Sequence, residues 1–225
     1  FIKKDGFHRR LEGWPMVFTV LTTLAILVGT IVQFVPAFLI DNNVPTIDAV
    51  EPFTPLEIAG RDLYIREGCN NCHSQMVRPF RHELERYGEY SKPGETIYER
   101  PFLWGSKRTG PDLARVGGKY PDLWHVRHME DPRSTSPRSI MPPYPWLISD
   151  ELDLSDLSSR LNALQTLGVP YSDDQVARAA ELARAEAARF AGSIETQGGP
   201  AGLADREIIA LVAYLQRLGT DINPS

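Results

Sequence analysis

The chain has 225 residues, a formal charge of −5, 42% hydrophobic residues and 24% charged ones. That length sets one or two domains, and the acidic balance argues against a nucleic-acid partner. The two cysteines fall short of the roughly four ligands of a structural zinc site.

Residues 1–13 carry Lys3, Lys4, Arg9 and Arg10 and read as a cytoplasmic N-terminus. A start at Phe1 leads us to expect a few preceding residues, the initiator Met among them. From Trp14 through Ile40 there is no Asp, Glu, Lys, Arg or His. A membrane span needs roughly 20 apolar residues, so 14–40 is long enough with some tilt. It is too long for the apolar region of a secretory signal, and Val35-Pro36-Ala37-Phe38 is a poor cleavage site. A buried core helix of this length would show a polar stripe; here Gln33 and four threonines are the only polar side chains. Trp14 and Phe38 suit the two interfaces. Asp41, Asp48 and Glu51 follow the span with no basic residue before Arg61. The positive-inside rule then puts the N-terminus in the cytoplasm and everything after residue 40 outside. Residues 41–53 read as a linker, extended where Asn42, Asn43 and Pro45 disfavour a helix.

Residues 54–225 read as one domain. Thr54-Pro55-x-Glu57 predicts a helix start with Thr54 at N-cap. Leu56, Ala59, Gly60, Leu63 and Tyr64 fall on one face, and Gly68 ends the helix. A glycine inside a helix costs about 1 kcal/mol against alanine. Gly60 therefore points to close approach by another helix. Next comes Cys69-Asn70-Asn71-Cys72-His73, the C-x-x-C-H pattern of covalent haem c attachment. The thiols add across the haem vinyl groups, and His73 reaches the iron. Zinc and dithiol sites share C-x-x-C, but zinc lacks ligands here and a thioredoxin-like site wants a preceding strand. With both cysteines on haem, no disulfide framework remains. Attachment takes place in the bacterial periplasm, which agrees with the topology read from charge.

The stretch from Arg81 to Arg100 reads as a loop or short helix with solvated charge. Gly110-Pro111-Asp112-Leu113 fits a loop in which the Pro111 carbonyl accepts from the His73 ring N–H and fixes its plane. Lys107, Arg108, Arg115 and Lys119 cluster around it. They are either haem propionate contacts, Arg108 and Arg115 foremost, or a solvated basic face. Residues 121–131 predict a helix carrying His125, His128 and Met129. The sixth iron ligand is to be chosen among Met76, Met129, Met141, His82, His125 and His128. Met76 is too near His73 to reach the opposite haem face. Met141 precedes Pro142 and Pro143 on a stiff loop, and we take it as the ligand. His/Met ligation raises the potential and closes the iron.

Residues 150–168 predict an amphipathic helix through Leu154, Leu157, Leu161 and Leu164, with Gly168 past its end. Ser172-x-x-Gln175 is a capping box for an alanine-rich helix to about Phe190, stopped by Gly192. Asp205 is expected to cap a last helix with Ile208, Ile209, Val212, Leu215 and Leu218 on one face, closed by Gly219. Tyr214 is placed to meet the Gly60/Tyr64 notch. Residues 150–202 thus read as a helical insertion before the last helix.

The chain resembles subunit II, the monohaem O subunit, of cbb3-type cytochrome c oxidases. The resemblance rests on Thr54-Pro55-Leu56-Glu57, Gly60-Arg61-Asp62, Tyr64 through Cys69, Cys72 through Met76 and Arg78-Pro79-Phe80-Arg81. It continues through Glu85-Arg86-Tyr87-Gly88, Trp104 through Gly118, Trp124-His125-Val126, Asp131 through Ser134, Ser139 through Pro142 and Ala213 through Thr220. Residues from about 172 to 200 match in character only. The resemblance implies a mainly α protein: one N-terminal transmembrane helix, then a class I cytochrome c-like haem domain with extra helices. It implies a non-catalytic electron-transfer subunit in the bacterial inner membrane. Electrons would come from a dihaem cytochrome c subunit or soluble cytochrome c and pass to haem b of the catalytic haem–copper subunit, which reduces oxygen. It also implies a calcium ion near the catalytic subunit, within reach of Ser106. Two rivals are a free membrane-tethered cytochrome c shuttle and an enzyme or gas sensor with an open haem.

Overall fold

Thr54 opens the first helix of the haem domain as its sequence requires. In the computed structural model, its side chain accepts from Glu57 N, and the Glu57 carboxylate accepts from Thr54 N at 2.7 Å. The structure describes residues 13–39 and 45–222. Lys3, Lys4, Arg9, Arg10, Asp41, Asn42 and Asn43, used above for topology and linker, lie outside them, as does the side chain of Phe38. The chain forms two units, 1–45 and 46–225.

The first unit contains helix α1, Pro15–Leu39. It is long and apolar enough to cross a membrane, and none of the residues of its apolar stretch is buried. Thr19 and Thr30 donate their hydroxyls to the Pro15 and Ile26 carbonyls, both at 2.8 Å, so these polar groups are satisfied inside the helix.

The second unit is helical, with no strand among its described residues: α2 (Pro55–Arg66), α3 (Cys69–Cys72), α4 (Arg81–Tyr87), α5 (Asp122–Glu130), α6 (Pro132–Thr135), α7 (Trp146–Ser149), α8 (Leu157–Thr166), α9 (Asp173–Ala177), α10 (Ala179–Thr196) and α11 (Glu207–Arg217). Residues 46–53, read as linker, already pack here. Val50 is buried, and Arg217 donates to the Glu51 carbonyl at 3.0 Å.

The centre is the crossing of α2 and α11. A Cβ on Gly60 would stand 1.8 Å from the Ala210 carbonyl oxygen and 2.9 Å from Tyr214 Cβ. Only glycine lets the two backbones approach this closely. Tyr64 and Tyr214 meet edge to face at 5.3 Å beside it. Every residue of α11 from Glu207 to Leu215 is buried. The expected single apolar face is therefore incomplete, because α2, α5, α7 and α10 all pack on α11. A buried Arg61–Glu99 pair, with the Glu99 carboxylate accepting from Tyr214 at 3.0 Å, pins the loop after α4 to this crossing.

Three boundaries differ from the sequence expectation. Helix α8 starts at Leu157, not Asp150. Residues 150–152 instead bond the 205–207 segment, through Leu152 N to Asp205 O and Glu207 N to Asp150 O. The same contact puts Arg206, not Asp205, at the N-cap of α11. The alanine-rich segment breaks at Arg178 and then runs through Gly192 to Thr196. Burial of Ala179, Ala183, Ala187, Ala191 and Ile194 offsets the cost of Gly192, and the left-handed Gly198 follows the helix end.

Candidate haem site

Gly68, at φ 72°, turns the chain from α2 directly into the one-turn helix α3. The turn buries Cys69, leaves Cys72 exposed and delivers His73 in extended conformation. His73 Nδ1 lies 2.8 Å from the Pro111 carbonyl oxygen. A carbonyl only accepts, so Nδ1 carries the proton and Nε2 keeps its lone pair. Burial lowers the His73 pKa, against the pull of the Pro111 carbonyl and Asp112, and favours the neutral ring that binds metals. The ring packs directly on Gly110: a Cβ there would stand 2.2 Å from His73 Cε1.

These groups open onto a cavity of about 620 Å³, lined by Cys69, Cys72, His73, Pro111 and Met141 and by apolar residues of α5 and α11. The volume is within the usual range for cofactor pockets. Burial pushes the Cys69 thiol up to about 12, the reverse of what a reactive dithiol needs. Of the six candidate sixth ligands, Met129, Met141, His125 and His128 line the cavity, and Met76 and His82 do not. His128 Nδ1 is 2.6 Å from Thr135 Oγ1, and its ring stacks on Trp124. Burial pushes His125 down to about 4. Met129 is held within α5, whereas Met141 stands on the irregular segment 139–144.

The cations separate into two groups. Arg108 does not line the cavity; its guanidinium bonds Glu83, Ser74, Asp112 and the Met76 carbonyl. The expected propionate contact does not fit that placement. Arg115 does line the cavity and pairs through its Nη atoms with Glu95. Lys119 and Arg138 also line it, and Lys107 is exposed. Sequence reasoning passed over Arg138, although it stands three residues before Met141. Ser106 is exposed, and among the described residues no group of three or more His, Cys, Asp or Glu is arranged to hold a metal ion by itself.

The donor set fits a haem. Two thiols, a neutral imidazole and a thioether share one cavity. Three buried polar atoms of its lining, Tyr64 Oη, Arg115 Nε and His125 Nε2, have no hydrogen-bond partner among the described residues, as expected of groups that meet a bound molecule. The family described as cytochrome c oxidase, mono-heme subunit/FixO, matches residues 8–222. The chain belongs to this family. It is therefore a monohaem subunit of a cytochrome c oxidase, working in electron transport beside other oxidase subunits. The resemblance to the O subunit of cbb3-type oxidases is borne out, and α1 is the helix that fits a membrane anchor. A comparison with curated proteins finds no match.

Proposed function

We propose that this chain relays single electrons from a dihaem cytochrome c subunit, or a soluble cytochrome c, to haem b of the catalytic subunit of a cbb3-type oxidase. The observation that carries the reading is the convergence of Cys69, Cys72, His73 and Met141 on one cavity. A haem c bound there supplies the one-electron carrier. Cys69 and Cys72 would hold it covalently, and His73 and Met141 would supply the iron with its two protein ligands. Pro111 keeps the proton on His73 Nδ1 and so fixes the ring plane. With both His73 and Met141 bound, the iron would have no open position, which would leave oxygen chemistry to the neighbouring catalytic subunit. Arg115, Lys119 and Arg138 are the cations available to two propionates. Helix α1 holds the chain in the inner membrane, with the N-terminus cytoplasmic and residues 41–225 periplasmic, as the flanking charges support. Ser106 is the position that would approach the calcium of the catalytic subunit.

The purified oxidase complex tests the relay. On rapid mixing of the fully reduced complex with oxygen, the haem of this chain should be re-oxidised before the haems of the dihaem subunit. Re-oxidation of the dihaem subunit with this haem left reduced would contradict the relay. Haem staining after native electrophoresis separates the rival: a free shuttle would migrate apart from the large complex.

A further inference from the structure

The segment that carries His73 is gripped along its whole length. Residues 72–76 run beside 110–114, joined by Gly110 N to Cys72 O at 2.9 Å, His73 Nδ1 to Pro111 O at 2.8 Å and Leu113 N to Ser74 O at 2.8 Å. Between the two segments of this clasp sits the Asp112 carboxylate, whose side chain is fully buried. It accepts from Ser74 Oγ at 2.6 Å, Met76 N at 2.9 Å, Ala114 N at 2.9 Å and Arg108 Nη2 at 3.3 Å. Arg108 bridges the same parts from the other side. It donates to Ser74 Oγ at 2.7 Å and to the Met76 carbonyl at 2.8 Å, and its remaining arm pairs with the buried Glu83 of α4. The guanidinium also lies over the Tyr87 ring, 5.4 Å from its centre.

We propose that Asp112, locked by Arg108 and Glu83, is the positioning residue that aims the Pro111 carbonyl at His73 and thereby sets the plane and basicity of the axial imidazole. The reasoning is geometric. Asp112 is the next residue after Pro111, so the bonds that immobilise its side chain immobilise the peptide that accepts from Nδ1. The same carboxylate holds Ser74 and Met76, on the far side of His73, so donor and acceptor are referenced to one group. A histidine ligand whose other nitrogen meets a firmly placed acceptor is a stronger electron donor to its metal. Loosening that acceptor weakens the donation and raises the reduction potential, and loss of a nearby negative charge acts in the same direction. Glu83 separates the two effects. It contributes the same formal charge to the cluster but bonds no residue of 110–114.

The proposal rests on His73 being the axial ligand. The holoprotein is compared with D112N, E83Q and R108K by redox titration and by the hyperfine-shifted haem-methyl proton resonances of the oxidised form, whose spread reports the imidazole plane. D112N should raise the potential more than E83Q does and should change the methyl pattern; E83Q should leave the pattern as in the wild type. A folded D112N with an unchanged pattern and a potential shift no larger than that of E83Q would overturn the proposal. If D112N fails to retain haem, R108K decides. It keeps the charge but loses the fork that bridges Ser74 and Met76, so it should move the pattern with a smaller rise in potential, and wild-type behaviour would overturn the proposal. A wild-type spectrum without a histidine-ligated low-spin haem would overturn the ligand assignment itself, whereas a normal wild-type spectrum with inert variants would overturn only the role of Asp112.

Discussion

The two walls of the cavity are built by different physics. The wall around His73 is held by directional bonds: backbone pairs between 72–76 and 110–114, the Pro111 carbonyl at 2.8 Å and the buried Asp112–Arg108–Glu83 cluster. The wall that presents Met141 has few such bonds. Met141 N donates to Ser139 Oγ at 3.2 Å, and Tyr144 N returns the chain to the Met129 carbonyl at 2.7 Å. Between them Pro142 and Pro143 supply stiffness, because a fixed φ leaves little chain entropy to lose. Imidazole binding depends on which nitrogen carries the proton, and only a placed acceptor can settle that. A thioether has no proton to place, so restricting the chain is enough.

The comparison predicts unequal responses to single changes. The largest falls on the bonded wall. Gly110→Ala puts a Cβ 2.2 Å from the His73 ring, and neither ring nor backbone can yield without breaking the Pro111 contact. Purified G110A should lose most of its low-spin haem absorbance, and a spectrum like the wild type would show that this wall is far more pliable than its bonds suggest. A smaller effect is expected on the stiff wall. Pro142→Gly frees the chain beside Met141 at a cost of about 1 kcal/mol. The haem should stay low-spin, with the thermal loss of methionine ligation setting in at lower temperature. Equal sensitivity of the two walls would break the comparison.

Much of this was legible in sequence where the causes are local. The Thr54 capping box, the left-handed Gly68 and Gly219 and the C-x-x-C-H turn involve neighbours within a few residues, and the structure reproduces those conformations. The close approach at Gly60 was readable because a glycine in an otherwise strong helix calls for a reason. What the sequence concealed comes from distant partners. Arg108 read as either a propionate contact or part of a solvated basic face, yet it pairs with the buried Glu83, 25 residues earlier in a stretch that looked like solvated charge. Gly192 read as a stop, but burial of the alanine face on α2 carries α10 past it. The start of α8 was lost to a contact with the 205–207 segment. The choice among methionines and histidines narrowed to four that share the cavity, and composition alone could not have grouped them.

The central claim is that His73 and Met141 close both faces of the haem, so that the chain carries electrons and leaves oxygen to its neighbour. The most direct test is carbon monoxide added to the reduced, purified chain, beside its Met141→Ala variant. The account predicts an unchanged wild-type spectrum and a variant that binds the gas with a clear spectral shift. Carbon monoxide binding to the wild type, or a Met141→Ala variant whose spectrum matches the wild type before and after the gas, would contradict it.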